Sequence, residues 1–456
     1  MKKLAETVLA LALAVSVLPA ASLGYEDLRS SMLSGNAELK AAEEKTEQSL
    51  LDVKDAKANY QPEISLMATA SYLVNPPEID IDISDISTGL NVLGSTYGLT
   101  VPDTLTKELD STYYNVALSV SEPILTWGKR PMAVKLYQNL ADITGLSKLD
   151  MEMKKDAELK TELTALRYIE DLLVLLDEAD ATAQELVQAS QDGYEDGMLL
   201  RQDVVEAKVD ALEVQVQRKE VQKLYSDLLQ EVRTLTALPE LEGSDIDFTP
   251  DEAEILYISQ LDRDYLRQEA VSAEAVPLRM LMKQSAAYQQ KENIAKAGMY
   301  MIPDLALNVT ATAGGSKFPG QKDWADSDDW GLAITVGIST TVWDGGKKLN
   351  ELKRSKSQLE ESYAAYDSAV SQLSAAVEDS ITTIDLSLAR LDYLEVSVEA
   401  EKGRLELLEL KEETGASSRT EVLSQQLEVL KKEMEIVQEK VSLAQAAYTL
   451  SYLARL

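Results

Sequence analysis

The sequence contains one pattern twice, and this internal duplication constrains the fold more than any other feature. Residues 127–130 (WGKR) recur as residues 345–348 (GGKK), a shift of 218 residues. The stretch 197–204 recurs at the same shift as 415–422. A repeat of this length carries a whole series of secondary-structure elements, so we expect both copies to build the same elements in the same order.

Each repeat is predicted to contain an opening helix, a β-hairpin, a long helix and a return helix. Pro131 lies inside the first long helix, but in its first turn, where helices tolerate proline. The predicted hairpin, long helix and return helix span 62–127, 128–192 and 201–237 in the first repeat, and 303–343, 346–413 and 419–455 in the second.

The N-terminus has the layout of a secretory signal peptide. A basic start is followed by an apolar run at residues 4–18 and by small residues at 19–22. No Cys follows this region, so we expect an exported protein that is not a lipoprotein. No later apolar run reaches 18 residues, so no transmembrane helix is expected. The predicted segments are the signal peptide (1–22), the first repeat (23–238), a linker (239–261) and the second repeat (262–456).

The hairpins alternate apolar and polar residues with a period of two, which is typical of strands with one apolar face. The apolar positions are Ile64, Leu66, Ala68, Ala70, Tyr72, Tyr114, Val116, Leu118 and Val120 in the first copy, and Leu305, Leu307, Val309, Ala311, Leu332, Ile334, Val336 and Ile338 in the second. The alternation alone fits a half-buried soluble sheet and an outer-membrane sheet equally well.

Aromatic residues at both ends of the strands favour the membrane interpretation. Those at the helix-side end are Tyr60, Trp127, Tyr300 and Trp343, and those at the other end are Tyr97, Tyr113, Tyr114, Trp324 and Trp330. Two aromatic girdles around an apolar band are typical of membrane-spanning strands, so we expect the first four to lie at a membrane–water interface.

The last helix carries a heptad seam that predicts coiled-coil packing on a neighbouring helix. Its positions are Leu423, Leu427, Leu430, Met434, Val437, Val441, Ala444 and Tyr448. Such a seam indicates a helical hairpin core.

Composition excludes several kinds of chemistry. The 456 residues include no Cys and no His, which rules out disulfides, zinc sites built on these residues and imidazole catalysis. The formal net charge of −34 argues against nucleic acid as a partner. The acidic loops lack the spacing of calcium loops, so we expect no metal and no cofactor. The carboxylates form no recognisable catalytic constellation, so an enzyme is not expected.

Four strands are too few to close a membrane barrel, and lipid does not tolerate an open sheet edge. Three copies would supply 12 strands, continued by 12 helices. The sequence therefore predicts a homotrimer.

The whole mature chain resembles the TolC-like outer-membrane efflux proteins, the outer membrane factors of tripartite export systems. The resemblance rests on the duplication, on the Gly-Lys/Arg openings of the long helices, and on the turns 197–205 and 415–423. It implies an α+β membrane protein whose homotrimeric 12-stranded β-barrel continues into a 12-helix α-barrel, with residues 239–261 in an equatorial belt. It also implies a passive exit duct in the outer membrane that extends into the periplasm. The implied partners are outer-membrane lipid, a periplasmic adaptor (membrane fusion) protein and an inner-membrane pump.

The resemblance also implies sites at the two turns. Candidate residues of a periplasmic gate are Asp203, Glu206, Glu421, Arg201, Arg419 and Glu412, with the two arginines as partners of the acids. Candidate adaptor contacts are Gly197, Met198, Leu199, Gly415, Ala416 and Ser417. The charges fit an ordinary solvated helix start equally well, and the glycines also fit a plain helix end.

Two other functions remain open from the sequence. A general porin would have no use for such long coiled coils, and an exported coiled-coil scaffold would leave the aromatic girdles unexplained.

Overall fold

The structure is a computed structural model, which describes residues 22–76, 78–84, 87, 91, 102, 104–108, 110–300, 303–320 and 322–456. Residues 1–21 of the expected signal peptide and Tyr97 of the expected girdle lie outside the described residues. In the described part of the chain, no helix combines the length and apolar character needed to cross a membrane.

The described chain is mostly helical, with a small antiparallel sheet. Its helices are α1 (Tyr25–Gly35), α2 (Ala37–Ala58), α3 (Lys129–Glu195), α4 (Arg201–Thr236), α5 (Glu252–Gln260), α6 (Arg263–Ala270), α7 (Val276–Met299), α8 (Lys347–Glu413) and α9 (Arg419–Ala454). Its strands are β1 (Glu63–Tyr72), β2 (Glu78–Asp82), β3 (Thr104–Glu108), β4 (Thr112–Leu125), β5 (Asp304–Gly315) and β6 (Asp328–Ser339).

The duplication is visible in the backbone, residue for residue. Helices α3 and α8 both have 67 residues and α4 and α9 both have 36, and each pair is offset by 218 positions. Left-handed backbone conformations occur at four equivalent pairs: Trp127 and Gly345, Gly128 and Gly346, Gly197 and Gly415, and Ala237 and Arg455. The two copies therefore share their strand-to-helix junctions, helix turns and helix ends.

The two hairpins join into one antiparallel sheet with the strand order β1-β4-β5-β6. Leu66 lies opposite Leu118, which lies opposite Ala311, which in turn lies opposite Leu332, so the apolar positions of all four strands share one face. The other face is polar, and the hydroxyls of Ser119 and Thr310 lie 3.1 Å apart on it. Strands β2 and β3 form a separate small sheet that the alternation did not predict.

The chain forms two compact units, and each repeat contributes to both. The helical unit comprises the described residues up to Leu50, Asn139–Ala286 and Glu360–Leu456. The strand unit comprises Leu51–Gln138 and Ala287–Leu359. The sequence repeats are thus not separate compact domains.

Helix α3 takes part in all three apolar clusters of the helical unit. Its Leu159 and Leu163 pack with α1, α2 and Val232 of α4. Its next turns, which include Leu172 and Leu176, pack against α4 and α9. Further contacts join Tyr168 to α5, α6, α8 and α9. The first long helix is therefore the common element of the core.

The predicted seam of α9 is confirmed, and its partner lies in the other repeat. All eight seam residues belong to the apolar clusters or pack against them. The half nearest the turn, from Leu423 to Met434, clusters with α3 and α4 and with no buried residue of α8. The seam therefore packs the two repeats against each other, in addition to packing α9 on α8 within the second hairpin.

The helical unit also contains a pair of carboxyl groups, Glu162 of α3 and Glu231 of α4. Burial and the nearby Glu231 carboxylate raise the pKa of Glu162 to about 7. Oε2 of Glu162 is buried and has no donor when both groups are charged. A proton on Glu162 allows a hydrogen bond between the two carboxyl groups, so Glu162 holds its proton from acidic to neutral pH.

Replacing a buried residue of α3 should cost far more stability than replacing its exposed neighbour. Leu172 is 2% exposed and Val174 is 67% exposed. We expect Leu172→Ala to lower the free energy of unfolding by about 2–5 kcal/mol, because it leaves a cavity in the shared core. Val174→Ala should change it by roughly 0.5 kcal/mol or less. Guanidinium unfolding followed by helical circular dichroism checks this, and equal shifts for the two variants would contradict the packing described.

The Glu162 pair should make stability fall as the pH rises. The folded chain holds a proton on Glu162 up to a pKa of about 7, whereas an ordinary glutamate releases it near 4.5. Stability should therefore decline between these two pH values and level off above them. Glu162→Gln should flatten this decline and raise the Tm at pH 8 by roughly 2 °C or more. Glu178→Gln, at an exposed position of α3, is the matched control; identical pH profiles for both variants would refute the assignment.

Candidate functional site

The two helix turns share one hydrogen-bond pattern, which ends one helix and starts the next. The N–H groups of Met198 and Ala416 donate to the carbonyls of Gly193 and Lys411, at 2.8 and 2.7 Å. Gly197 and Gly415 have φ angles of +74° and +72°. A side chain is strained in this conformation, so glycine is favoured at the point where each of these helices ends.

The side chains at the two turns differ. Met198 and Leu200 of the first turn are 75% and 72% exposed. The Leu199 side chain instead packs over Gly193. In the second turn Ala416 is exposed and Ser417 half-buried. The first turn thus presents apolar groups to solvent, and the second presents small ones.

Asp203 and Glu421 cap the helices that follow the turns. The Leu200 N–H donates to Oδ2 of Asp203 at 2.7 Å, and the Ser418 N–H donates to Oε2 of Glu421 at 3.2 Å. The Ser417 hydroxyl also donates to Glu421, and these hydrogen bonds lower the pKa of its carboxyl. Both acids therefore support local structure, which is the structural role left open from the sequence.

Arg419 bridges the two hairpins instead of pairing with the capping acids. Its Nη2 donates to Oε1 of Glu185 on α3 at 2.7 Å, and its Nη1 lies 3.7 Å from Oε2 of Glu412. The hydrogen bond to Glu185 raises the pKa of the guanidinium. The expected pairing with Glu412 is present and Glu185 is an additional partner. Arg201 was also expected to pair with these acids, but it forms no ion pair within the described residues. Glu206 accepts a hydrogen bond at its Oε1 from Nε2 of Gln202, at 2.9 Å.

Three of the predicted gate acids line one open groove between the hairpins, near the turns. Asp203, Glu206 and Glu421 line it together with Asp210 and Glu428, and the groove lining contains no Lys or Arg. Carboxylates gathered in this way repel one another and attract cations. Within the described residues, no group of side chains has a geometry that could hold a metal ion.

Two of these groove acids and one partner residue were missed by the sequence reasoning. Asp210 and Glu428 are 218 positions apart, so the shift that related Asp203 to Glu421 could have identified them. Glu185 had no such signal, because the equivalent residue of the second repeat is Gly403.

The four predicted interface aromatics lie beside one end of the sheet, where β1 and β5 begin. The Trp127 indole N–H donates to the Pro303 carbonyl at 2.9 Å. The Arg130 guanidinium lies 5.2 Å from the centre of the Tyr60 ring and also pairs with Glu122. Tyr300 and Trp343 are 69% and 82% exposed. This end of the sheet therefore combines exposed rings with a few anchored polar groups.

Comparisons with known proteins agree with this architecture. Residues 273–454 match the family model described as outer membrane efflux protein. A sequence search of curated proteins found no match.

Several solved outer-membrane proteins share the fold. The outer membrane protein VceC of Vibrio cholerae superposes with a TM-score of 0.71 and 16% identity, covering 94% of this chain and 95% of its own. The CmeC outer membrane channel of Campylobacter jejuni gives 0.71 and 13%, covering 94% and 85%. The MtrE outer membrane channel of Neisseria gonorrhoeae, solved in its open state, gives 0.67 and 16%, covering 97% and 93%.

The matched family is one of outer-membrane efflux channels and not of enzymes, which agrees with the expectation from the sequence. The resemblance inferred from the sequence is confirmed: residues 273–454 match the outer membrane efflux protein family, and the described chain has the fold of TolC-like outer-membrane channels.

Proposed function

We propose that three copies of this chain form the outer-membrane exit duct of a tripartite efflux or type I secretion system. The duct conducts substrates passively from an inner-membrane pump and a periplasmic adaptor protein to the outside. The signal peptide expected at residues 1–22 directs its export. The observation that carries the proposal is the exposed apolar face of a four-stranded sheet with two open edges.

The sheet has the dimensions and surface expected of membrane-spanning strands. Its strands are 10 to 14 residues long, enough to cross the hydrocarbon core when tilted. Leu66 and Ile334 on its apolar face are 70% and 69% exposed. Strands β1 and β6 each have one edge without a partner in the sheet. Lipid contact satisfies the apolar face, and 12 strands from three copies would close the edges.

The sheet end that carries Tyr60, Trp127, Tyr300 and Trp343 is proposed to lie at the periplasmic membrane–water interface. Exposed rings next to anchored polar groups suit this boundary. A continuous helical tunnel is proposed to extend from here into the periplasm.

The helix turns are proposed to form the periplasmic end of the duct. Met198, Leu199 and Gly197 of the first turn, with Gly415, Ala416 and Ser417 of the second, are the proposed adaptor contacts. The acidic groove with Asp203, Glu206 and Glu421 is proposed to line the tunnel end, with Arg419, Glu412 and Arg201 in its surroundings. Carboxylates from three copies would select for cations there.

The proposal predicts a detergent-dependent trimer. The native protein should leave outer membranes only with detergent, because its apolar sheet face lies in lipid. In detergent, light scattering should give three times the mass of the mature chain, which is somewhat below the 50.1 kDa of the full sequence because the signal peptide is removed, after the detergent contribution is subtracted. Release without detergent as a monomer would refute the duct and favour the soluble scaffold.

Neutralising the groove acids should weaken cation preference. Asp203→Asn and Glu421→Gln keep the capping oxygen but remove the charge, so the helix starts should survive. In planar bilayers we expect the double variant to lower the cation-to-anion permeability ratio about twofold or more. Glu409→Gln is the control, because Glu409 is exposed near the second turn but does not line the groove. The same ratio in wild type and double variant would eliminate the role of these acids in the tunnel.

A further inference from the structure

The start of the described chain pairs with the linker between the two repeats. The Leu23 N–H donates to the Asp245 carbonyl at 2.7 Å, and the Asp247 N–H donates to the Leu23 carbonyl at 3.0 Å. Together these hydrogen bonds form a parallel β-bridge between Leu23 and Ile246. Both backbone groups of Leu23 are therefore held by the linker.

The residues that follow Leu23 also have fixed contacts. Leu23 and Tyr25 pack against the apolar cluster shared by α1, α2, α3 and α4. The Gly24 N–H donates to Oδ2 of Asp27 at 3.2 Å, which helps to cap the start of α1. The Tyr25 hydroxyl donates to Oδ1 of Asp156 on α3 at 2.7 Å. From Leu23 onward the chain is thus part of the folded helical unit.

Ser22, the residue before Leu23, has far fewer contacts. Its side chain is exposed, and its hydroxyl lies 3.5 Å from Oδ2 of Asp247. Within the part of the chain that the structure describes, Ser22 forms no other hydrogen bond. The firmly held chain therefore begins at the peptide bond between Ser22 and Leu23.

The sequence makes this same bond a cleavage site for an export peptidase. Such a peptidase needs small residues at the first and third positions before the bond that it cuts. Ser22 and Ala20 occupy these two positions for a cut before Leu23. A cut after Ala21 would instead place Pro19 at the third position. Among these two bonds, only the one before Leu23 has the required pattern.

Two other bonds that follow the apolar run fit less well. A cut after Ala20 would place the large side chain of Leu18 at the third position. A cut after Gly24 has small residues at both positions. That cut would remove Leu23 with its two hydrogen bonds, and also the Gly24 N–H that donates to Asp27. The structure therefore favours the bond before Leu23.

We propose that an export peptidase hydrolyses the bond between Ser22 and Leu23, and that the linker binds the amino group which this reaction creates. The hydroxyl of a water molecule adds to the Ser22 carbonyl carbon, the C–N bond breaks, and the remaining proton of that water passes to the Leu23 nitrogen. At neutral pH the new carboxylic acid loses its proton and the amine gains one. The inference rests on the export included in the proposed function, and it adds the bond that is cut and the group that receives the new charge.

The linker has acceptors in place for the new ammonium group. The Leu23 nitrogen already lies 2.7 Å from the Asp245 carbonyl oxygen, and an ammonium group has two further N–H groups to donate. The Asp247 carboxylate is exposed beside Ser22 and forms no ion pair within the described residues. Once Ser22 has left, this carboxylate faces the ammonium group of Leu23. A neutral acceptor and a charged one thus lie at the same point.

The linker carries no cation of its own. Residues 239–261 include Asp and Glu but no Lys or Arg. Cations on the neighbouring helices are already paired, since Arg29 lies 2.6 Å from Asp156 and Lys160 lies 2.8 Å from Glu254. The ammonium group of Leu23 therefore supplies a positive charge that Asp247 otherwise lacks among the described residues.

N-terminal sequencing tests which bond is cut. Protein extracted from outer membranes with detergent should begin at Leu23. Ser22→Leu should accumulate the uncut precursor, because it places a large residue next to the bond. Ala21→Leu is the matched control and should be cut normally, because the second position before the bond tolerates large residues. Outer-membrane trimers whose chains begin at another residue would overturn this cut alone, whereas chains that keep Met1 would also refute the proposed export.

The reactivity of the new amino group tests its binding by the linker. The mature protein in detergent is acylated with a succinimidyl ester at pH 7, and labelling of the tryptic peptide 23–29 is followed by mass spectrometry. Asp247→Asn should raise the labelling rate about threefold or more, because an ammonium group without a carboxylate partner loses its proton more readily and only the free amine reacts. Glu240→Gln, at an exposed position of the same linker, should leave the rate unchanged. Equal rates for wild type and Asp247→Asn would overturn the binding of the amino group without affecting the proposed duct.

Discussion

The packing of α9 against α3 holds the two repeats together, and the rest of the helical unit depends on it. Neither hairpin can bury its apolar residues alone, because the seam from Leu423 to Met434 needs the surface that Leu172 and Leu176 provide. Farther from the turns, Tyr168 of α3 and Tyr448 of α9 belong to the cluster that also contains the short helices α5 and α6. A duplicated chain thus becomes a single core by packing one copy against the other.

Packing of the two repeats on each other still leaves surfaces that a single copy does not cover. The apolar sheet face, the edges of β1 and β6, and exposed apolar residues of α4 and α8 such as Val209 and Val396 are left uncovered by the described residues of one chain. Each is of a kind that water disfavours, and each would be satisfied by lipid or by another copy. A membrane barrel and a ring of helices, formed by several copies, would cover all of these surfaces. The sheet and the helices therefore support one functional proposal.

The parts that could be predicted from the sequence are those with a local signal. Gly197 and Gly415 indicated both turns, because glycine is the residue that adopts a left-handed helix end most easily, and alternation indicated the apolar face of the sheet. The α9 seam was recognisable from its heptad spacing, but spacing shows only that a partner exists, so packing on α3 could not be predicted. The Arg419–Glu185 pair joins residues 234 positions apart and had no local signal either. Strand β2 does alternate, as Glu-Ile-Asp-Ile-Asp, but its acidic residues were interpreted as part of a solvated loop, so the sheet of β2 and β3 was missed.

The two repeats have diverged at their strand-to-helix junctions, where the first has Trp127. Its backbone has φ +54°, in a region that suits the glycine found at the equivalent position, Gly345. In the first copy the Trp127 indole is anchored to the Pro303 carbonyl. In the second copy the Asp344 carboxylate instead accepts from the N–H groups of Gly346 and Lys348, at 3.0 and 2.9 Å. In the proposed trimer, junctions held by the indole and junctions held by the aspartate would alternate around the ring. The six strand-to-helix junctions would then form two chemically different sets of three, so that any widening of the tunnel would have threefold symmetry, not sixfold symmetry.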